Sequence, residues 1–105
     1  MEEKEYKTFE EFYPFYLNQH RAFGTRVTHF VGTTLFLLLV LTAFVKQDYM
    51  LLLLGVVCAY GFAWVGHFFI EKNKPATFKY PWMSLKGDFK MYFEILTGEQ
   101  GFKGN

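Results

Sequence analysis

The chain has 105 residues, 51% apolar and 22% aromatic, with 11 basic and 10 acidic side chains and a formal charge of +1. That length supports one domain, expected over 1–105. The balanced charge with no basic face argues against nucleic-acid binding, and the single cysteine, Cys58, excludes an intrachain disulfide.

The apolar residues gather into two blocks instead of recurring at core spacing. The alternative, a buried hairpin in a soluble protein, leaves too little chain to cover both helices. The start of the chain is acidic and aromatic, so no secretory leader is expected. Thr8 and Glu11 have capping-box spacing and open an interfacial helix expected over 8–22, with Phe9, Phe12, Tyr13, Tyr16 and Leu17 along one side. Pro14 predicts a kink or a fresh start within it.

The blocks 27–45 and 49–70 read as transmembrane helices, each close to the roughly 20 residues that cross about 30 Å of hydrocarbon. Only Lys46, Gln47 and Asp48 separate them, so the chain crosses, turns at once and returns. Four basic residues precede the first span and six follow the second, which places both termini in the cytoplasm. Pro75 stops the second helix, and 75–83 reads as an extended segment at headgroup level. Ser84 is expected to cap a last interfacial helix over 84–97, with Leu85, Phe89, Tyr92, Phe93 and Leu96 on one face, and the tail is expected to fray from Glu99. The fold class is all-α: an integral membrane helical hairpin with amphipathic interfacial helices before and after.

The three histidines lie on one side of this hairpin. His29 is 18 positions before Gln47 and His67 is 20 after it, so the two imidazoles return to one depth within about 3 Å. Tyr60, Trp64, His67 and Glu71 share a face of the second span, beside a strip of small residues, Gly55, Ala59 and Gly66, suited to close helix contact. An imidazole and a carboxylate four apart can reach one metal ion. His29 shares its face with Thr25, Thr33, Phe36 and Val40, and Arg26 is one turn before it. His20 is nine residues from His29, about 13.5 Å away on a continuous helix. It joins a shared site only if the chain bends, and Gly24 is the expected bend. The plainer alternative is that the imidazoles hydrogen-bond one another or a threonine, with His20 an ordinary interfacial residue.

Several segments resemble the Mpo-like family, whose named member class is the 2-hydroxy fatty acid dioxygenases of phytosphingosine metabolism. They are Phe12-Tyr-Pro-Phe-Tyr-Leu-Asn-Gln-His20, Arg26-Val-Thr-His29-Phe-Val-Gly32 and Trp64-Val-Gly-His67-Phe-Phe-Ile-Glu71-Lys-Asn-Lys-Pro75-Ala-Thr. Tyr80-Pro-Trp-Met-Ser84-Leu-Lys-Gly-Asp88-Phe is similar to short bacterial members. The resemblance implies an integral membrane enzyme that uses ferrous iron, Fe(2+), and O2 to shorten a 2-hydroxy fatty acid by one carbon. It maps the family's histidines onto His20, His29 and His67 as metal ligands. It matches Glu71 to the carboxylate of the Gly-His…Glu-Lys motif, as a fourth ligand or a partner of His67. Arg26, with Arg21 and Lys72 as alternatives, is the expected catalytic cation for the substrate carboxylate. Characterised eukaryotic members carry additional spans, so a homodimer is one way to complete the pocket. The implied location is a bacterial inner membrane, or the endoplasmic reticulum in a eukaryote. The competing functions are a non-catalytic membrane module that binds lipid or a partner protein, and a metal enzyme acting on another lipid.

Overall fold

Residues 5–104 are described by a computed structural model. Helix α1 covers Phe9–Asn18, α2 Phe23–Lys46, α3 Met50–Val65 and α4 Pro81–Thr97. Helix α3 continues without a break into a π-helical stretch, Gly66–Glu71, and a short 3-10 turn, Ala76–Phe78, precedes α4. No strand occurs among the described residues. Phe23–Lys46 and Met50–Glu71 are each long and apolar enough to cross a membrane.

The hairpin turns where expected. Gln47 takes the left-handed conformation at φ 54°, and the Asp48 amide closes on the Ala43 carbonyl at 3.0 Å. Apolar side chains such as Leu38, Leu41, Phe44, Leu53 and Val57 remain exposed outside the α2–α3 contact. Gly66 lets the end of the second rod approach α2. A Cβ there would lie 2.5 Å from the Thr28 hydroxyl and 3.2 Å from the Thr25 Cα.

Three boundaries differ from the sequence reading. Thr8 does cap α1, its hydroxyl accepting the Glu11 N–H, but the helix stops at Asn18 instead of 22. The bend falls at 19–22, not at Gly24, and α2 starts at Phe23. Gly24 serves a different purpose, since a Cβ there would meet Ile70 at 2.9 Å. Helix α4 starts at Pro81, with no side-chain cap from Ser84. Proline suits a first helical turn because its missing N–H would be unpaired there anyway. Pro14, by contrast, lies inside α1, which runs on past it.

Helices α1 and α4 pack on each other across the end of the hairpin. Phe12, Tyr13 and Tyr16 from α1 meet Met91 and Ile95 from α4 in a buried cluster. The buried side of α4 is therefore Ser84, Gly87, Met91, Tyr92 and Ile95. The stripe read as its apolar face is left largely outward, with Leu85, Phe93 and Leu96 exposed. The tail is tied down and does not fray from Glu99. The Gly104 amide donates to the Arg21 carbonyl at 2.9 Å, and the Phe102 ring packs against Phe23 and Phe30.

Candidate metal centre

The segment 19–22 is where the site is assembled, and side chains from three elements fix it. The Glu71 carboxylate accepts the Ala22 N–H at the head of α2, where an unpaired amide and the helix dipole both favour an anion. The Asn73 amide donates to the Gln19 carbonyl at 3.1 Å and to the Gln19 side chain at 3.0 Å. Arg26, 3% exposed, donates through Nε to the His20 carbonyl at 2.6 Å. Its Nη1 reaches Gln100 Oε1 at 3.2 Å and the Gly101 carbonyl at 2.8 Å. These bonds hold His20 under the hairpin.

His20, His29 and His67 come together, all buried, with one ring nitrogen from each lying within 4.8 Å of the others. Ring centroids are 4.4 Å apart for His20–His29 and His20–His67, and 5.0 Å for His29–His67, with the planes near perpendicular. Each Nδ1 faces an acceptor: the Tyr16 carbonyl for His20 at 2.6 Å, the Thr25 carbonyl for His29 at 3.1 Å, and Asn73 Oδ1 for His67 at 2.7 Å. A neutral imidazole carries one ring hydrogen. With that hydrogen at Nδ1, each Nε2 presents a bare lone pair.

The His20 and His29 Nε2 atoms are 3.0 Å apart. Two lone pairs at that distance repel unless a proton or a metal cation lies between them. Two imidazole nitrogens at right angles on one ion, each about 2.1 Å from it, would also be roughly 3.0 Å apart. The donor set therefore fits a metal ion, and imidazole ligands suit zinc, copper, iron and nickel. Burial and the two neighbouring imidazoles hold His20 well below the ordinary histidine range, so it stays neutral, as a ligand must.

The centre opens onto a cavity of about 330 Å³ between α2, α3 and α4. Phe36, Val56, Ala59, Ala63 and Phe89 supply apolar wall, and Thr33, Ser84 and Asp88 the polar points. Among the described residues no lysine or arginine lines it. Asp88 accepts a hydrogen bond from the Tyr16 hydroxyl and lies 4.0 Å from His29 Nε2. Burial pushes its carboxyl up to about 7, against the Tyr16 bond, which lowers it. The Tyr16 ring stacks on His20 at 4.0 Å. Ser84 is 1% exposed, and its hydroxyl has no hydrogen-bond partner among the described residues. Leaving a buried hydroxyl unpaired costs about 1–3 kcal/mol, so such a group calls for an explanation.

The structure thus brings His20, His29 and His67 into one cluster. It places Glu71 at the Ala22 amide and Arg26 between the His20 loop and the tail. Four site residues escaped the sequence reading. The sequence pattern puts Tyr16 on the apolar side of α1 and gives Ser84 a capping role, and it singles out neither Asp88 nor Asn73. The available signal was the spacing of Ser84 and Asp88, four apart and so on one side of α4.

Residues 6–100 match the family model described as 2-hydroxy-palmitic acid dioxygenase Mpo1-like, and the chain belongs to that family. Neither a curated protein nor a solved structure matches it.

Proposed function

We propose that this chain is a membrane-embedded, iron(II)-dependent dioxygenase that oxidises a 2-hydroxy fatty acid to the acid one carbon shorter. The balance is one hydroxy acid and one O2 giving the shortened acid, CO2 and water. Membership of a dioxygenase family supports the reaction class. The observation that carries the assignment to this site is the convergence of one ring nitrogen from each of three buried histidines, with each Nδ1 facing an acceptor.

His20, His29 and His67 would hold the metal, which supplies binding and activation of O2 beside the substrate. The rest falls to the protein's own groups. The Tyr16 and Thr25 carbonyls and Asn73 Oδ1 fix the tautomer and aim of each ring. Phe36, Val56, Ala59 and Phe89 give the acyl chain an apolar wall and keep water from the reacting carbon. Asp88 is the one acid lining the cavity among the described residues, which supports it as the group that receives the proton of the 2-hydroxyl. Glu71 and Arg26 act as positioning residues that hold the His20 loop. Both the ligands and the cavity come from one chain, so no second copy is invoked.

The exposed apolar surfaces of α2 and α3 would face lipid, and the outward stripe of Trp82, Leu85, Phe93 and Leu96 on α4 would rest at the membrane boundary. The basic residues flanking the spans, against a single lysine in the connecting turn, support a cytoplasmic position for the centre.

Metal analysis of the detergent-purified protein, paired with O2 uptake, tests this. About one iron per chain is expected, lost in His29→Ala and His67→Ala, with O2 consumed on 2-hydroxypalmitate and not on palmitate. A folded protein that binds no metal would refute the assignment and favour a non-catalytic lipid-binding module. Metal-dependent turnover of a different lipid would refute the substrate alone.

A further inference from the structure

Resting on the reading of this pocket as a fatty-acid site, we infer that Ser84 is the hydrogen-bond donor that receives the carboxylate of the acid. A buried carboxylate needs donors for its oxygens as well as any charge compensation from a metal, and the side-chain cation expected to supply them does not do so. Arg26 is committed to His20, Gln100 and Gly101, and among the described residues neither lysine nor arginine lines the cavity. What the wall offers instead is a short set of neutral groups.

Among these Ser84 stands apart. Its side chain is 1% exposed, its oxygen is buried without a partner among the described residues, and it lines the cavity one turn before Asp88. Tyr60 and Trp64 are more than a third exposed, at the outer part of the same cavity. Asp88 can only accept when ionised, and one of its oxygens already takes the Tyr16 hydroxyl. A serine hydroxyl can donate, and this one has no acceptor among the described residues. The Ser84 and Asp88 side chains, four apart on α4, thus present a donor and an acceptor side by side. A 2-hydroxy acid carries the complement, a carboxylate next to a hydroxyl.

Binding is read separately from turnover. In a Trp82→Phe background the cavity residue Trp64 is the remaining tryptophan, and its fluorescence follows titration of detergent-solubilised, full-length protein with 2-hydroxypalmitate and with its methyl ester. Ser84→Ala is expected to weaken binding of the acid on the order of tenfold, the usual scale for a hydrogen bond to a charged group. Binding of the ester, whose head carries no charge, should change much less. Metal content should be unchanged, and Ser84→Thr, which keeps a hydroxyl, should recover part of the affinity.

Equal weakening for acid and ester would overturn the assignment, since it would indicate a merely structural serine. Unchanged affinity for the acid, or no binding by the unmodified protein, would overturn it too. If acid binding depends on Ser84 while O2 uptake is absent, the carboxylate site stands and the dioxygenase reading falls. If turnover is normal and acid binding ignores Ser84, the reverse holds.

Discussion

Asn73 links His67 of the proposed metal site to the loop that carries His20, and its replacement separates two jobs. Its Oδ1 accepts the His67 Nδ1–H at 2.7 Å, and its amide nitrogen donates to Gln19 at 3.1 and 3.0 Å. Asn73→Ala removes all three bonds. At about 1 kcal/mol each, the fold should lose roughly 2–3 kcal/mol. Without an acceptor at Nδ1, His67 is free to carry its hydrogen on Nε2, the atom meant to bind. Loss of such an outer partner typically lowers metal affinity about 10–100-fold. Asn73→Asp keeps an acceptor for His67 but turns the donors at Gln19 into a carboxylate facing a carbonyl. It should therefore unfold as easily as the alanine variant, or more easily, while holding metal far better. Chelator competition measures the affinity, and thermal unfolding in detergent measures the fold. Alanine and aspartate variants that lose metal equally would refute the tautomer argument, as would an alanine variant within twofold of the unmodified affinity.

Gly87→Ala would place a Cβ 2.9 Å from the Tyr16 ring, which is 1% exposed and stacked on His20. It should cost about 1–3 kcal/mol and weaken metal binding, whereas Gly61→Ala, with nothing within 4 Å, should be neutral or slightly stabilising in the same unfolding assay. Tyr13→Phe removes the hydrogen bond that, with Lys90 3.0 Å away, pulls the Glu94 carboxyl below its usual value although burial alone would raise it. A carboxyl depressed in the fold stabilises it above the unfolded value of about 4.3, and that contribution is lost as pH falls through the folded value. The variant should therefore be about 1–2 kcal/mol less stable at pH 7, with the gap closing in unfolding scans taken below about pH 4. A gap that stays constant with pH would show that the bond does not act through the charge of Glu94.

What could be read from the chain beforehand, and what could not, divides along the range of the interactions. The hairpin and the common depth of His29 and His67 follow from helix rise and from two apolar runs joined by three residues, all of them local quantities. The small strip is legible from periodicity too: a Cβ added at Gly55 or Gly66 would lie 3.3 Å or less from α2 atoms. His20 was legible only conditionally, because nine residues of continuous helix would carry it away. What breaks that helix is a set of bonds from residues 26, 71, 73 and 104, the last two more than 50 positions distant. No local pattern at 19–22 announces them. The same range effect explains Glu71. Four residues after His67 it has the spacing of a second ligand, yet an unpaired amide at the head of another helix engages its carboxylate. Ser84 shows the opposite failure. It has the chemistry of a cap, but Pro81, three residues earlier, already suits a first turn, and the hydroxyl is carried into the helix body to face the cavity. A polar residue whose local explanation has been taken by a neighbour is thus worth following to whatever lies across from it. Here that is the cavity beside the three imidazoles.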